Sequence, residues 1–509
     1  MKRRILLIIF VLTIALCPHG YGSLSDSREM RIAVTSRVNS LDPIKQDDVT
    51  STSIIVQIFD GLFGYNNRGQ LIPVLVDEWS VSEDRKVYKL TLRDDIRFSN
   101  GETLNSKHVI DSIERLASKE SLNSWAASMI SGHEEYKQGL SDTLSGLMVY
   151  DNRRLSIELV EPYEAFMHLL SSVYYSIVNE VDAHAIDDKG CGKIYGTGPY
   201  RCAAYNSNGV YLKHNANYHS ELNNIPSIEY TVMPWCDSVD AFNNGEIDLI
   251  RYYNDDYAVD AENSSVEVVY QFSTWYNAFN LQKKVAQDDR FRTAIALTLD
   301  KAKLIGLAGR SVDPARGMLP DGFGKAMDDE ASLHVYDGVD DPRDGLNVDG
   351  VADLLVCKST PKYEEIIKEY SRVFEELGVK YRVHAEEFTE YYRKRREGEF
   401  TIVYANVIPS YGDPDAIFFP YFHSSSKGNI TRHGDEHLDD LIMLSRKAPN
   451  GIERARINHD IDRYLIEKTY VIPLYHDYTK IYYNKDLALP STNGLGSWFI
   501  IINRTRWKS

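Results

Sequence analysis

Residues 353–404 contain five consecutive elements, and no other stretch of the chain restricts the fold as much. Residues 353–356 read as a buried strand. Thr360 can cap a following helix with Pro361 at its first position. Tyr363, Ile366, Ile367, Tyr370, Val373, Phe374 and Leu377 then recur at offsets of three and four, and Gly378 stands just past the last of them. Residues 379–383 read as a second strand, 386–396 as a second helix and 400–404 as a third strand. Strand-helix-strand-helix-strand implies a parallel, doubly wound sheet with right-handed crossovers. In open sheets of this kind, ligands bind beyond the carboxyl ends of the strands. Residues 406–414 leave the third strand at that end and carry Ser410, Tyr411 and Asp413, which nominates this segment as part of a binding cleft.

The rest of the chain alternates short strands and helices without a short repeat. Residues 31–35 read as a strand that Asp42-Pro43 breaks off. Residues 53–59 are apolar at helical spacing and run into an Asp60-Gly61 turn. Residues 87–92 alternate as a strand, and Ser106 can cap a helix with Val109, Ile110, Ile113 and Leu116 on one face.

The amino terminus reads as an export signal. Lys2, Arg3 and Arg4 precede an apolar run over residues 5–16, well short of the roughly 20 residues that span a bilayer. Cys17 directly follows the run, as the acylated cysteine of a lipoprotein does, although Leu16 stands where a small residue is preferred. Gly20 and Gly22 offer an ordinary cleavage site instead. The mature chain is therefore either tethered by lipid on Cys17 or free after a signal peptide of residues 1–22.

A length of 509 residues suggests two to four domains, and 43% hydrophobic content supplies a sizeable core. The net charge of −17 excludes a basic nucleic-acid face and disfavours an anionic membrane surface. The 34 tyrosines suit either recognition or packing. Cys191, Cys202, Cys236 and Cys357 show no C-x-x-C spacing. In an oxidising compartment Cys191 and Cys202 can pair, but sequence alone leaves the connectivity open. His433-Gly434-Asp435-Glu436-His437 fits a zinc-peptidase pattern that needs both histidines on one helix face; the flanking glycines point instead to a loop with Asp435 as a helix cap.

Several motifs in order carry a family resemblance. Residues 40–43 (Ser-Leu-Asp-Pro), 59–66 (Phe-Asp-Gly-Leu-Phe-Gly-Tyr-Asn) and 92–101 resemble the opening of periplasmic oligopeptide-binding proteins of ABC importers, the family 5 extracellular solute-binding proteins. Residues 196–200 (Gly-Thr-Gly-Pro-Tyr), 245–249, 279–280, 289–292 and 472–475 (Ile-Pro-Leu-Tyr) continue it in family order to about residue 480. The resemblance implies an α/β, two-lobed periplasmic-binding-protein type II fold with mixed sheets, hinge-connected lobes and an extra subdomain in the first lobe. The expected division is 24–66, 187–268 and 478–509 for the core of lobe 1, 67–186 for the extra subdomain, and 269–477 for lobe 2.

The same resemblance implies a binding protein and not an enzyme, with no catalytic residue, metal or cofactor of its own. It would capture a peptide ligand in the periplasm and deliver it to the permease subunits in the inner membrane, most simply as a monomer. A receptor can bind the shared peptide backbone as an added strand and leave wet pockets for side chains. The residues expected to line the cleft are Asp47, Val49, Trp275, Tyr276, Asn406, Val407, Ile408, Ser410, Tyr411 and Asp413. The family's cleft segment reads aromatic-x-x-Asp, then three residues, then Pro. Here Pro414 matches, but Ser410 stands at the aspartate and Val407 at the aromatic position. Either the ligand's amine is bound differently or the ligand lacks one. A receptor for a non-peptide solute (a metal chelate, haem or an oligosaccharide) and an exported zinc hydrolase are the alternative readings.

Overall fold

The structure is a computed structural model that describes residues 28–46, 48–66, 69–179, 191, 194–252, 259, 262–308, 312–320, 341–343, 345–449, 451–489 and 502–508. The export signal of residues 1–22, Cys17 and Asp47 lie outside the described residues.

The predicted strand-helix-strand unit is present, displaced by two residues at several boundaries. The strand Ala352–Cys357 pairs in parallel with Tyr381–Glu386 and with Ile402–Val407. The first helix is Tyr363–Glu376, and its cap is Lys362, held at φ 52°, while Thr360 and Pro361 form the turn before it. Gly378 terminates that helix at φ 66°, a conformation open to glycine at no steric penalty. The Val379 N–H bonds back to Phe374 O at 2.8 Å, so the next strand starts at Tyr381 and not at Val379. The helix expected from Ser106 is Ser106–Ala117, and the cap is Asn105, whose side chain accepts from Lys107 N and His108 N.

These strands extend an eleven-stranded mixed sheet. Its order is Tyr381–Glu386, Ala352–Cys357, Ile402–Val407, Ser264–Phe279, Val471–Asn484, Leu249–Tyr252, Met30–Val34, Ser227–Val232, Gly209–His214 and Tyr200–Asn206, with Val312–Pro314 joined to Val471–Asn484. Two long antiparallel strands, Ser264–Phe279 and Val471–Asn484, belong to both ends of it. Their register runs unbroken from Ser264↔Asn484 to Tyr270↔Tyr478, slips, and resumes at Ser273↔Asp477. Phe272, inside that bulge, has φ 52°. Bulges bend a strand and sharpen its twist, and this one lies midway along both long strands.

A separate four-stranded antiparallel sheet, Val76–Val81, Val87–Leu92, Arg154–Glu158 and Leu147–Val149, packs with the helix Ser106–Ala117 as an additional subdomain. One buried cluster runs from this subdomain (Leu90, Val109, Ile157, Tyr175) onto one face of the second lobe (Tyr276, Val403, Ile417, Ile461). The first lobe has its own core around Ile32, Ile55, Leu212 and Ile228, and the other face of the second lobe is built on Phe279, Leu354, Val373 and Tyr404. Each fully buried side chain of this size contributes about 1.5–3 kcal/mol.

The Gly196-Thr197-Gly198 turn meets the end of the helix Val49–Ile58 backbone to backbone. Gly198 N donates to Ile58 O at 2.9 Å, and a Cβ on Gly196 would stand 2.0 Å from that same oxygen. Cys191 and Cys202 form a disulfide across a Cα separation of 5.6 Å.

Candidate functional site

The strand Ile402–Val407 delivers the segment that follows it to the bulge in the strand Ser264–Phe279. Val407 is buried and pairs with Thr274, just past the bulge, while Asn406 pairs with Trp275 and is half-buried, as are Ile408 and Ser410. The segment ends in Asp413-Pro414, which starts the helix Asp415–Phe422. Asp413 Oδ1 accepts from Asp415 N at 2.9 Å, a short side-chain turn that favours this reversal.

Both carboxylates after Ser410 are already paired. Asp413 is 3% exposed and forks onto Arg454 at 2.6 and 2.7 Å. Asp415, 2% exposed, lies with Oδ1 3.0 Å from Arg446 Nε. That approach is off the hydrogen-bonding direction, so it is a charge contact and not a directed bond. The Arg446 guanidinium is sandwiched between the rings of Tyr163 at 4.2 Å and Phe419 at 3.9 Å. Tyr411 and Tyr163 both donate to Asp415 Oδ2, and their hydroxyls are 3.2 Å apart. Burial, with the Asp415 charge next in effect, pushes both phenols well above the ordinary tyrosine range, so they remain donors.

The first lobe and its subdomain face this segment directly. The hydroxyls of Tyr174 and Ser410 are 2.7 Å apart, and Gly412 N donates to Tyr65 Oη at 3.0 Å. Tyr65 Oη also lies 2.8 Å from His168 Nδ1. Tyr174 stands on the short turn Val173–Tyr175, against which the helix Val49–Ile58 packs. Val49 is the first residue of that helix and is half-buried; its cap is Asp48, which accepts from Ser51 N at 2.7 Å.

Trp275 and Tyr276 project to opposite faces of their strand. Trp275 packs between Tyr404 and Tyr475, and its indole donates to Asp477 at 2.9 Å. Tyr276 is fully buried on the other face, and its hydroxyl has no hydrogen-bond acceptor among the described residues. Beside it lies Arg395, whose guanidinium sits over the rings of Tyr392 and Tyr421 at 5.7 and 5.9 Å. No carboxylate among the described residues pairs with Arg395. Sequence reading missed this arginine, because its helix, Phe388–Glu397, carries three other basic residues (Arg393, Lys394 and Arg396) and an isolated unpaired charge cannot be told from a paired one. Arg446 and Arg454, 31 and 39 residues beyond Asp415, gave no local signal either.

The zinc-peptidase pattern does not put both of its histidines on one helix face. His433 precedes the helix Glu436–Lys447. Its Nε2 contacts Phe422 O, its Nδ1 accepts from Asp435 N at 3.0 Å, and its ring stacks on Tyr470. Asp435 caps that helix, accepting from His437 N and Leu438 N. A pocket of about 230 Å³ opens elsewhere, on the first lobe beside Phe242, Gly245 and Asn484, and contains none of the expected site residues.

Residues 70–429 match the family model described as bacterial extracellular solute-binding proteins, family 5 Middle. The chain is 22% identical over 492 residues to the periplasmic murein peptide-binding protein MppA of Escherichia coli K12, an alignment covering 89% of this chain and 88% of that one. It is 23% identical to the periplasmic oligopeptide-binding protein OppA of Salmonella typhimurium, covering 90% and 88%. The solved structure of the Escherichia coli murein tripeptide binding protein MppA superposes with a TM-score of 0.83 at 19% identity, covering 96% of this chain and all of that one.

Proposed function

The chain belongs to the bacterial extracellular solute-binding proteins of family 5, and from that membership we propose that it is the substrate-binding component of an ABC importer, capturing oligopeptides or dipeptides between its lobes in the periplasm. The observation that carries this reading is the family match across residues 70–429, which spans the segment that meets the first lobe through Tyr65 and Tyr174. Relatives over nearly the whole length are named as peptide-binding proteins, and their two-lobed fold is this chain's fold.

In this reading the lobes divide at the bulge, close to the boundaries 268/269 and 477/478, and the subdomain takes up residues 67–186. Asn406, Val407, Ile408 and Ser410 offer the ligand backbone an edge to pair with. Within residues 406–415, Asp413 and Asp415 are both spent on arginines, so no carboxylate of the segment receives a ligand ammonium. The complementary charge is Arg395, and the buried Tyr276 hydroxyl beside it is a second donor; together they suit a ligand carboxylate. Nothing in the chemistry assembled at the segment calls for a nucleophile or an acid–base couple, in keeping with capture and not turnover. The closed protein delivers its load as a monomer to permease subunits, tethered by Cys17 if the lipoprotein signal is used.

Mass spectrometry of ligand co-purified with the protein, followed by calorimetry with di- to pentapeptides, tests the proposal. Recovery and rebinding of a peptide is expected. A recovered non-peptide solute, with no heat from any peptide, would overturn it.

A further inference from the structure

Three tyrosines reach from the first lobe and its subdomain to the segment 410–415, and each meets it through its hydroxyl. Tyr174 meets Ser410 at 2.7 Å, Tyr65 accepts from Gly412 N at 3.0 Å, and Tyr163 donates to Asp415. They come from three separate places in the chain: the strand Phe63–Tyr65, the turn Val173–Tyr175 and the stretch between Glu158 and the helix Phe166–Leu169. Their partners lie 236 to 347 residues further on, across the proposed lobe boundary.

We propose that Tyr65, Tyr163 and Tyr174 form a clasp that holds the lobes closed through the ligand-binding segment itself, so that the empty protein already populates the closed form. The role of the segment in binding rests on the function proposed above; the clasp does not need a ligand. Every bond in it is between protein groups. A tyrosine suits the task because it carries a hydroxyl on a rigid stem with few rotors, so little entropy is lost in placing it. Opening at Tyr163 would expose the Arg446–Asp415 charge contact, whose members are 1% and 2% exposed, and would strip one face from the arginine's aromatic sandwich. At the rim, Lys447 and Glu161 bring opposite charges to 2.5 Å across the same line, and Arg85 Nη2 donates to Lys447 O at 2.8 Å. Being partly exposed they add little, but they have the same sense.

Replacing a clasp tyrosine by phenylalanine removes the hydroxyl and keeps the ring. In Y163F, Asp415 still accepts from Tyr411, so no buried carboxylate is orphaned outright. The test is small-angle scattering of the ligand-free full chain, wild type against Y65F/Y163F and Y174F, with thermal melts as the folding control. The expected result is a larger radius of gyration in the variants. Where a peptide binds, its dissociation should quicken by about fivefold per hydroxyl, the effect of one neutral hydrogen bond, with association changed less than twofold. An unchanged scattering profile in folded variants overturns the clasp. Should the double variant fail to fold, Y174F alone decides, because its ring sits at the margin of the core. A wild type that binds no peptide would count against the proposed function, while the ligand-free scattering would still decide the clasp.

Discussion

On the function proposed above, Ser410 offers the ligand a neutral group and Arg395 a charged one. Ser410 offers a hydroxyl that already meets Tyr174, so its removal costs one neutral hydrogen bond. Calorimetry of Ser410→Ala should show peptide affinity weakened by about 1 kcal/mol; a loss of several kcal/mol would mean that Ser410 is the main anchor. Arg395 is different in kind, because no carboxylate among the described residues neutralises it and the Tyr276 hydroxyl beside it still lacks an acceptor. Arg395→Ala should weaken binding of a peptide with a free carboxylate by about 1.5–3 kcal/mol, the range for hydrogen bonds to charged groups. It should leave the corresponding peptide amide nearly unaffected. Equal losses for acid and amide would place the arginine outside the ligand's reach.

At the scale of elements, what the sequence made legible is what local periodicity encodes. The helix Tyr363–Glu376 was readable because Ile366, Tyr370, Val373 and Phe374 face one core at helical spacing, and Gly378 ends it as expected. Its start was misplaced because the chain adopts a left-handed conformation at Lys362, which no residue type announces. Strand polarity alone puts the segment 406–414 at the carboxyl end of a strand, and it does leave the strand Ile402–Val407 there. Its holders, Tyr163, Tyr174, Arg446 and Arg454, were not legible, because contacts made over long sequence separations leave no period to read. The histidine pattern 433–437 shows the converse: spacing identical to a metal site, decided by where the helix begins. Asp435 begins it, and its Oδ2 also accepts from Tyr464 and Tyr470 at 2.9 and 2.8 Å. Asp435→Ala removes a cap and leaves two phenols without that acceptor. Urea unfolding should show a loss of about 2 kcal/mol, and Asp435→Asn, which keeps the capping oxygen, should recover most of it.

At the scale of the whole molecule, the two long strands cross the proposed lobe boundary, and the stretch 315–319 braces them. Ala315 N donates to Leu474 O at 3.1 Å, and Thr274 donates to Met318 O at 2.8 Å, so this stretch lies against both strands. It is tied to the helix Ile452–Glu467 by Asp462, which accepts from Met318 N at 2.6 Å and Leu319 N at 3.3 Å. Asp462 is 1% exposed and has no cation within ion-pair distance among the described residues. Burial outweighs the two N–H donors and pushes its carboxyl up to about 6 from an ordinary 3.8. Between those values the folded protein holds a proton that the unfolded chain has released, so stability falls as pH rises from about 4 to about 6. Two units correspond to about 3 kcal/mol. The buried His133 and the half-buried His168 and His423 act in the opposite sense. Burial, the leading effect at each, holds them below the ordinary histidine value, so their contribution is lost as pH falls below about 6.5. The wild-type curve alone mixes the two, and a comparison with Asp462→Asn separates them. The asparagine places an amide near two N–H donors, a penalty that does not vary with pH. The wild type's advantage over the variant should therefore shrink by about 3 kcal/mol between pH 4 and pH 7, measured by urea unfolding at each pH. A constant difference across that range would mean that Asp462 titrates alike in the folded and unfolded chains, and that burial in the brace does not disfavour its charge.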